Sequence, residues 1–123
     1  MAHMAAMKRI LVVDDDALIR DVIRMVLDDE GYEVVEAENG QHALATASTN
    51  PPHLILLDMN MPVMDGWAFA HAYAALPGPH APIVVCTAAA DAQHRADEIH
   101  AAAFLVKPFS ARDLRAKVAS FAS

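Results

Sequence analysis

Short apolar runs recur along the chain, separated by longer stretches of mixed polarity. The runs are Ile10-Leu11-Val12-Val13, Val34-Val35, Leu54-Ile55-Leu56-Leu57, Ile83-Val84-Val85 and Phe104-Leu105-Val106. An apolar run with no polar alternation reads as a strand buried on both faces. The predicted strands are Lys8 to Val13, Tyr32 to Ala37, His53 to Leu57, Pro82 to Cys86 (ending at Thr87) and Phe104 to Val106.

The stretches between them carry helical signals. From Ala17 to Glu30, apolar residues recur at Leu18, Val22, Met25 and Val26, with Ile19 and Ile23 beside them. Asp14-Asp15-Asp16 at the start suits the positive end of a helix dipole, and Gly31 stops the helix. After an Asn39-Gly40 turn, Gln41 to Ser48 is Ala-rich, with Ala43, Leu44 and Ala47 facing inward, and Pro51-Pro52 ends it. Pro62 and Asp65-Gly66 mark a constrained turn. Gly66 to Leu76 reads as a third helix with Trp67, Phe69, Ala70 and Tyr73 as packing residues, broken by Pro77-Gly78-Pro79. Ala88 to Ala101 is a helix on propensity alone. A last helix begins at Ser110, with Ser110 and Asp113 near capping-box spacing and Leu114, Val118 and Phe121 on one face.

Strands alternating with helices imply an α/β fold, a five-stranded parallel sheet with helices on both faces. Ligands of such sheets bind at the carboxyl ends of the strands. Those ends carry Asp14-Asp15, Asp58, Thr87 and Lys107. Carboxylates, a hydroxyl and an ammonium would converge on one edge. Without a counter-ion, at least one carboxyl pKa should rise. Oxygen-only ligands select Mg²⁺ or Mn²⁺ over zinc. An Asp nucleophile beside such a metal can attack phosphorus, with Lys107 and the metal neutralising charge on the transferring group.

Composition narrows the setting. The 123 residues and 55% hydrophobic content fit one domain with a real core, and the mean hydropathy of +0.23 argues against disorder. Residues 1–7 contain Met-Ala-His-Met, which reads as a cloning remnant, leaving 8–123 as the single domain. The net charge of −7 disfavours direct binding to nucleic acid or to an anionic membrane. No apolar run approaches a bilayer span, and no secretory signal is visible. The single Cys86 excludes an internal disulfide, reads as a small core residue and fits a reducing cytoplasm. The seven histidines lack metal-ligand spacing.

From Lys8 to Phe121 the chain resembles a response-regulator receiver domain of two-component signalling, the CheY-like type of the flavodoxin-like doubly wound fold. The motifs that carry the resemblance are Ile-Leu-Val-Val-Asp-Asp-Asp, Leu-Leu-Asp-Met-Asn-Met-Pro-Val-Met-Asp-Gly, Val-Val-Cys-Thr-Ala and Phe-Leu-Val-Lys-Pro-Phe, in the family's order. The resemblance implies that Asp58 accepts a phosphoryl group from a histidine kinase or phosphotransfer protein. It implies Mg²⁺ held by Asp15, Asp58 and the backbone carbonyl of Asn60, with Asp14 acting through water. It assigns Lys107 to the phosphoryl group, with a cis bond to Pro108. Thr87 and Phe104 become the switch pair, and Asp16 a helix cap. The fourth helix, fifth strand and last helix become the face a partner reads. Such a module is not an enzyme beyond catalysing its own Mg²⁺-dependent phosphorylation and dephosphorylation.

The chain departs from the family in places. His100 stands where the family has a Gly four residues before the switch aromatic, and the Thr87–Lys107 stretch is short. Ala89, two after Thr87, offers no side chain to position water, which predicts slow self-dephosphorylation. A phosphatase of the haloacid dehalogenase type would want a second acid where Asn60 stands. A flavin module would need a phosphate loop where Asp14-Asp15-Asp16 would repel phosphate. The alternative kept is a receiver-like interaction module that does not use the site. The chain ends with its last helix, so no direct transcription role is read from it.

Overall fold

The computed structural model describes residues 7–88 and 92–122. Along them strands and helices alternate: β1 (Arg9–Val13), α1 (Ala17–Asp29), β2 (Glu33–Ala37), α2 (Gly40–Thr49), β3 (Leu54–Asp58), α3 (Gly66–Ala75), β4 (Ile83–Ala88), α4 (Ala92–Glu98), β5 (Ala103–Lys107) and α5 (Ala111–Phe121). The strands form one sheet in the order β2-β1-β3-β4-β5, and every pairing is parallel. The expected five-stranded doubly wound α/β fold is therefore present.

The apolar runs explain the layers. Ile10, Val12, Leu54, Leu56, Val84, Cys86 and Leu105 face one way, onto Ile23 and Leu27 of α1 and Leu114 and Val118 of α5. Leu11, Val13, Ile55, Leu57 and Val85 face the other way, onto Ala43 and Ala47 of α2, Phe69 and Tyr73 of α3 and Ala96 of α4. Alternate residues serve different layers, so both must be apolar. Each fully buried Leu or Ile contributes about 1.5–3 kcal/mol relative to exposure.

The face of α1 differs from the one its most regular apolar spacing suggests. Leu18, Val22 and Met25 are 74%, 57% and 71% exposed, whereas Ile23 and Leu27 are buried and Ile19 and Val26 pack beside them. Both sets satisfy helical periodicity. The sheet selects the second.

Asp16 and Ser110 cap helices as expected, and Asn39 and Asp65 prove to be caps as well. Asn39, Asp65 and Ser110 each accept a hydrogen bond from the backbone N–H three residues on, and Asp16 accepts from Leu18 N. Gly40 is the first residue of α2 rather than a turn residue, and Gly66 opens α3 as expected. A Cβ on Gly66 would lie 2.6 Å from Met59 Sδ, 2.8 Å from Met59 Cα and 2.9 Å from the Asp58 carbonyl oxygen. Only glycine lets α3 start against the loop that carries Asp58.

Two helices end with the same backbone motif. At the end of α1, Gly31 N bonds Asp28 O and Tyr32 N bonds Leu27 O, with Gly31 at φ 87°. At the end of α4, His100 N bonds Asp97 O and Ala101 N bonds Ala96 O, with His100 at φ 55°. Both are Schellman closures, whose left-handed residue is usually glycine. The second uses histidine. This closure also shortens the fourth helix against expectation. Ala88 belongs to β4, the helix ends at Glu98, and Ala102 N already bonds Ile83 O to enter the sheet. Residues 89–91 lie outside the described residues, and so does the expectation for Ala89.

Trp67 is half-buried and packs against the core as expected. Its Nε1 donates to Glu98 Oε1 at 2.9 Å, and the Arg95 guanidinium lies 5.0 Å from its ring centroid, joining α3 to α4. Cys86 is buried, and burial pushes its thiol up to about 12, so it behaves as an inert core residue.

Candidate functional site

The sheet order reverses between β1 and β3: from β1 the chain steps outward to β2, then crosses back to β3 on the other side. The crevice at such a reversal, at the carboxyl ends of the strands, is where open α/β sheets place ligands. Asp14 follows the last residue of β1, and Asp58 is the last residue of β3. Lys107 ends β5, and Thr87 is the last but one residue of β4. The predicted residues therefore meet on one edge because parallel pairing aligns their strand ends.

Asp14 is 2% exposed and thoroughly held. Its N–H donates to Ala37 O at 3.1 Å. Its Oδ1 accepts from Asp16 N at 2.9 Å, and its Oδ2 accepts from Lys107 Nζ at 2.8 Å. Asp58 is 8% exposed. Its Oδ1 lies 3.7 Å from Lys107 Nζ and 3.5 Å from Asn60 N, a long contact. Asp15 is exposed, and one carboxylate oxygen each from Asp14, Asp15 and Asp58 lies within 4.8 Å of the others. Asn60 is exposed beside them. The Lys107–Pro108 bond is cis, as the resemblance implied.

Electrostatics follow from this crowding. Burial, with the nearby charges of Asp14 and Asp15, raises Asp58 from 3.8 to about 6, while Lys107 and the Asn60 N–H pull it down. The expected rise is present, but burial rather than repulsion between the carboxylates is its largest cause. Burial would lower the Lys107 ammonium, but the Asp14 hydrogen bond and the charges of Asp14 and Asp58 outweigh it and raise the pKa.

Thr87 is buried on the face of the sheet that Phe104 shares. Val85 is the register partner of Phe104, and Thr87 that of Val106, so all four side chains point to one layer. Phe104 is half-buried and lines an open groove with Phe109 and Phe121.

Sequence reasoning passed over one residue beside the site. Arg20 of α1 donates from Nη1 to the Asp14 carbonyl oxygen at 2.7 Å and from Nε to Glu36 Oε1 at 3.0 Å. Arg24 binds the other oxygen of Glu36. Burial works against the Glu36 charge, but the hydrogen bonds and charges of Arg24 and Arg20 hold its carboxyl below the usual range. Arg20 has no motif of its own, and its partner Glu36 is contributed by β2.

Comparison with known proteins agrees with this geometry. The family model described as the response regulator receiver domain matches residues 10–119. The transcriptional regulatory protein PdtaR of Mycobacterium tuberculosis is 43% identical over 116 residues, covering 92% of this chain and 56% of that protein. The probable transcriptional regulator ycf27 of Porphyridium aerugineum is 35% identical, covering 92% of this chain and 47% of that protein. The chain thus spans about half the length of these curated relatives. The solved structure of the chemotaxis response regulator CheY4 of Vibrio cholerae superimposes with a TM-score of 0.86 at 33% identity, covering 94% of this chain and 99% of that one.

Proposed function

The chain belongs to the response regulator receiver domain family, and from that premise we propose that it works as a phosphoacceptor in a phosphorelay, with Asp58 as the acceptor. The observation that carries the reading is the convergence of a buried Asp58 with Lys107, Asp14 and Asp15 at the reversal point of the sheet. The donor would be a phosphohistidine of a histidine kinase or phosphotransfer protein. A carboxylate oxygen of Asp58 attacks phosphorus, the P–N bond breaks, and the electron pair leaves with the imidazole, which takes up a proton. With a pKa of about 6, Asp58 is mostly ionised at neutral pH and so able to attack.

The donor set fits a hard divalent cation. It is oxygen only, three carboxylate oxygens gather within 4.8 Å, and the strained Asp58 carboxyl would be relieved by positive charge. Asp15, Asp58 and the Asn60 carbonyl would hold Mg²⁺, with Mn²⁺ the next choice. Both Asp14 oxygens are engaged by Asp16 N and Lys107, which suits contact through water. When bound, the cation supplies positive charge to the carboxylates and to the oxygens of the transferring group.

Lys107 would turn from Asp14 to a phosphoryl oxygen, which its flexible four-carbon stem allows. Thr87 would donate its hydroxyl to the same group, and Phe104, on the same layer, would follow. Output works by population shift: the phosphoryl group must favour one arrangement of Thr87 and Phe104 over the other. The surface of α4, β5 and α5 would carry that change to a partner. The domain, residues 8–123, acts on itself rather than turning over a separate substrate, and a cytoplasmic setting suits it. Among the described residues, no helix is long and apolar enough to cross a membrane.

The test is intact mass after incubation with acetyl phosphate and Mg²⁺. One phosphoryl adduct, absent in Asp58→Ala and abolished by chelation, supports the reading. A folded, Mg²⁺-binding protein that gains no adduct would move it to an interaction module that leaves the site unused.

A further inference from the structure

We propose that Arg20 is a positioning residue for the metal-binding loop, acting through the Asp14 backbone rather than through its charge. The inference rests on the metal reading above. Asp14 and Asp15 sit on a turn between β1 and α1, where no ladder of hydrogen bonds continues on both sides. Four interactions fix that turn. Asp14 N reaches back to Ala37 O, its two carboxylate oxygens take Asp16 N and Lys107, and its carbonyl oxygen takes Arg20 Nη1 at 2.7 Å. The carbonyl bond is the one made to the peptide unit that leads directly into Asp15.

The guanidinium is itself held in place. Its Nε bonds Glu36 Oε1 at 3.0 Å, and Arg24 takes the other Glu36 oxygen. The side chains of Arg20 and Glu36 are only 16% and 23% exposed, so the pair is shielded from water. A planar fork can satisfy Asp14 O and Glu36 at once because its donors are fixed relative to one another. The strand pairing sets Glu36 opposite Val12 and Ala37 opposite Val13, which aims β2 at the base of the same turn. Arg20 therefore fastens the end of β1 to β2 and to α1 at the residue before Asp15. Residues that hold ligands from behind are worth about ten- to a hundredfold in metal affinity when lost.

A competing effect predicts the opposite sign. A guanidinium near a cation site repels the cation, so removing its charge alone would tighten binding. Replacement by lysine keeps the charge and loses the fork, whereas methionine loses both.

The experiment measures Mg²⁺ affinity of the full chain by following backbone amide shifts of Asp15 and Asn60 in a Mg²⁺ titration, without any phosphodonor. The proteins are the parent, Arg20→Lys, Arg20→Met and Asp15→Asn. Amide spectra of the metal-free variants check that each is folded, and Arg20→Lys, which keeps the charge beside Glu36, keeps the test usable if Arg20→Met unfolds. Both Arg20 variants should bind about tenfold or more weakly, while phosphorylation at saturating Mg²⁺ recovers toward the parent rate. An Arg20 variant that binds as tightly as the parent, or more tightly, overturns the inference, even where Asp15→Asn shows the metal site is real. A parent protein that takes up no Mg²⁺ overturns the metal reading itself, and this inference with it.

Discussion

Lys107 rests on Asp14, not on Asp58. Its Nζ is 2.8 Å from Asp14 Oδ2 and 3.7 Å from Asp58 Oδ1. The ammonium thus hydrogen-bonds one buried carboxylate and pairs with the other only at longer range. That asymmetry explains why burial dominates at Asp58 and lifts it to about 6, even with a lysine nearby.

A stability prediction follows at Asp58. A carboxyl whose folded pKa lies above its unfolded value favours the fold while protonated and loses that contribution as it ionises. For Asp58 the loss falls between about pH 4 and pH 6. Asp58→Asn, which cannot ionise, should be more stable than the parent at pH 7.5 in the absence of divalent metal, by about 2–3 kcal/mol. The gap should close at pH 3.5, and Mg²⁺ should narrow it at pH 7.5. Urea denaturation at the two pH values checks this. Equal stabilities at pH 7.5 would show that the carboxylate is not strained.

The left-handed residue ending α4 offers a cleaner test of backbone conformation. His100 occupies the position that Gly31 occupies at the end of α1, and it is exposed. His100→Gly relieves a side chain at positive φ but loosens the unfolded chain, so the net gain should be about 0.5–1 kcal/mol. His100→Ala should not share it. The gain reads as a raised midpoint of thermal unfolding. A drop on His100→Gly would mean that the imidazole makes a contact worth more than the strain.

Gly66→Ala should act in the opposite direction. The added Cβ meets backbone, the Met59 Cα and the Asp58 carbonyl oxygen, and neither can rotate away. The start of α3 must move, at a cost of about 2 kcal/mol or more. Because the displaced backbone carries Asp58, Mg²⁺ affinity should fall together with stability. Calorimetric unfolding with and without Mg²⁺ separates the two effects: the shift in midpoint that Mg²⁺ produces should shrink in the variant.

Much of this architecture was legible in the chain because its strands are buried on both faces. Runs such as Leu54–Leu57 admit few other readings, and parallel pairing then forces Asp14, Asp58, Thr87 and Lys107 together. What escaped was set by non-local contacts. Helical spacing placed Leu18, Val22, Met25 and Val26 on a stripe, but spacing does not say which of two stripes meets the sheet; of these only Val26 packs on the core, and the buried face runs through Ile23 and Leu27. Alanine propensity carried the fourth helix to Ala101, whereas the Ala102 N–Ile83 O bond pulls the chain into the sheet sooner. Arg20 gave no local signal because Glu36 becomes its neighbour only when β2 pairs with β1.

The most direct test of the account is to locate the modified residue chemically. After phosphorylation with acetyl phosphate and Mg²⁺, borohydride reduces an aspartyl phosphate to homoserine, and peptide mass spectrometry finds the converted position. The account predicts homoserine at position 58 and at no other aspartate. Homoserine at 14 or 15 with Asp58 intact, or a phosphoryl group that survives borohydride on a histidine or serine, would contradict it.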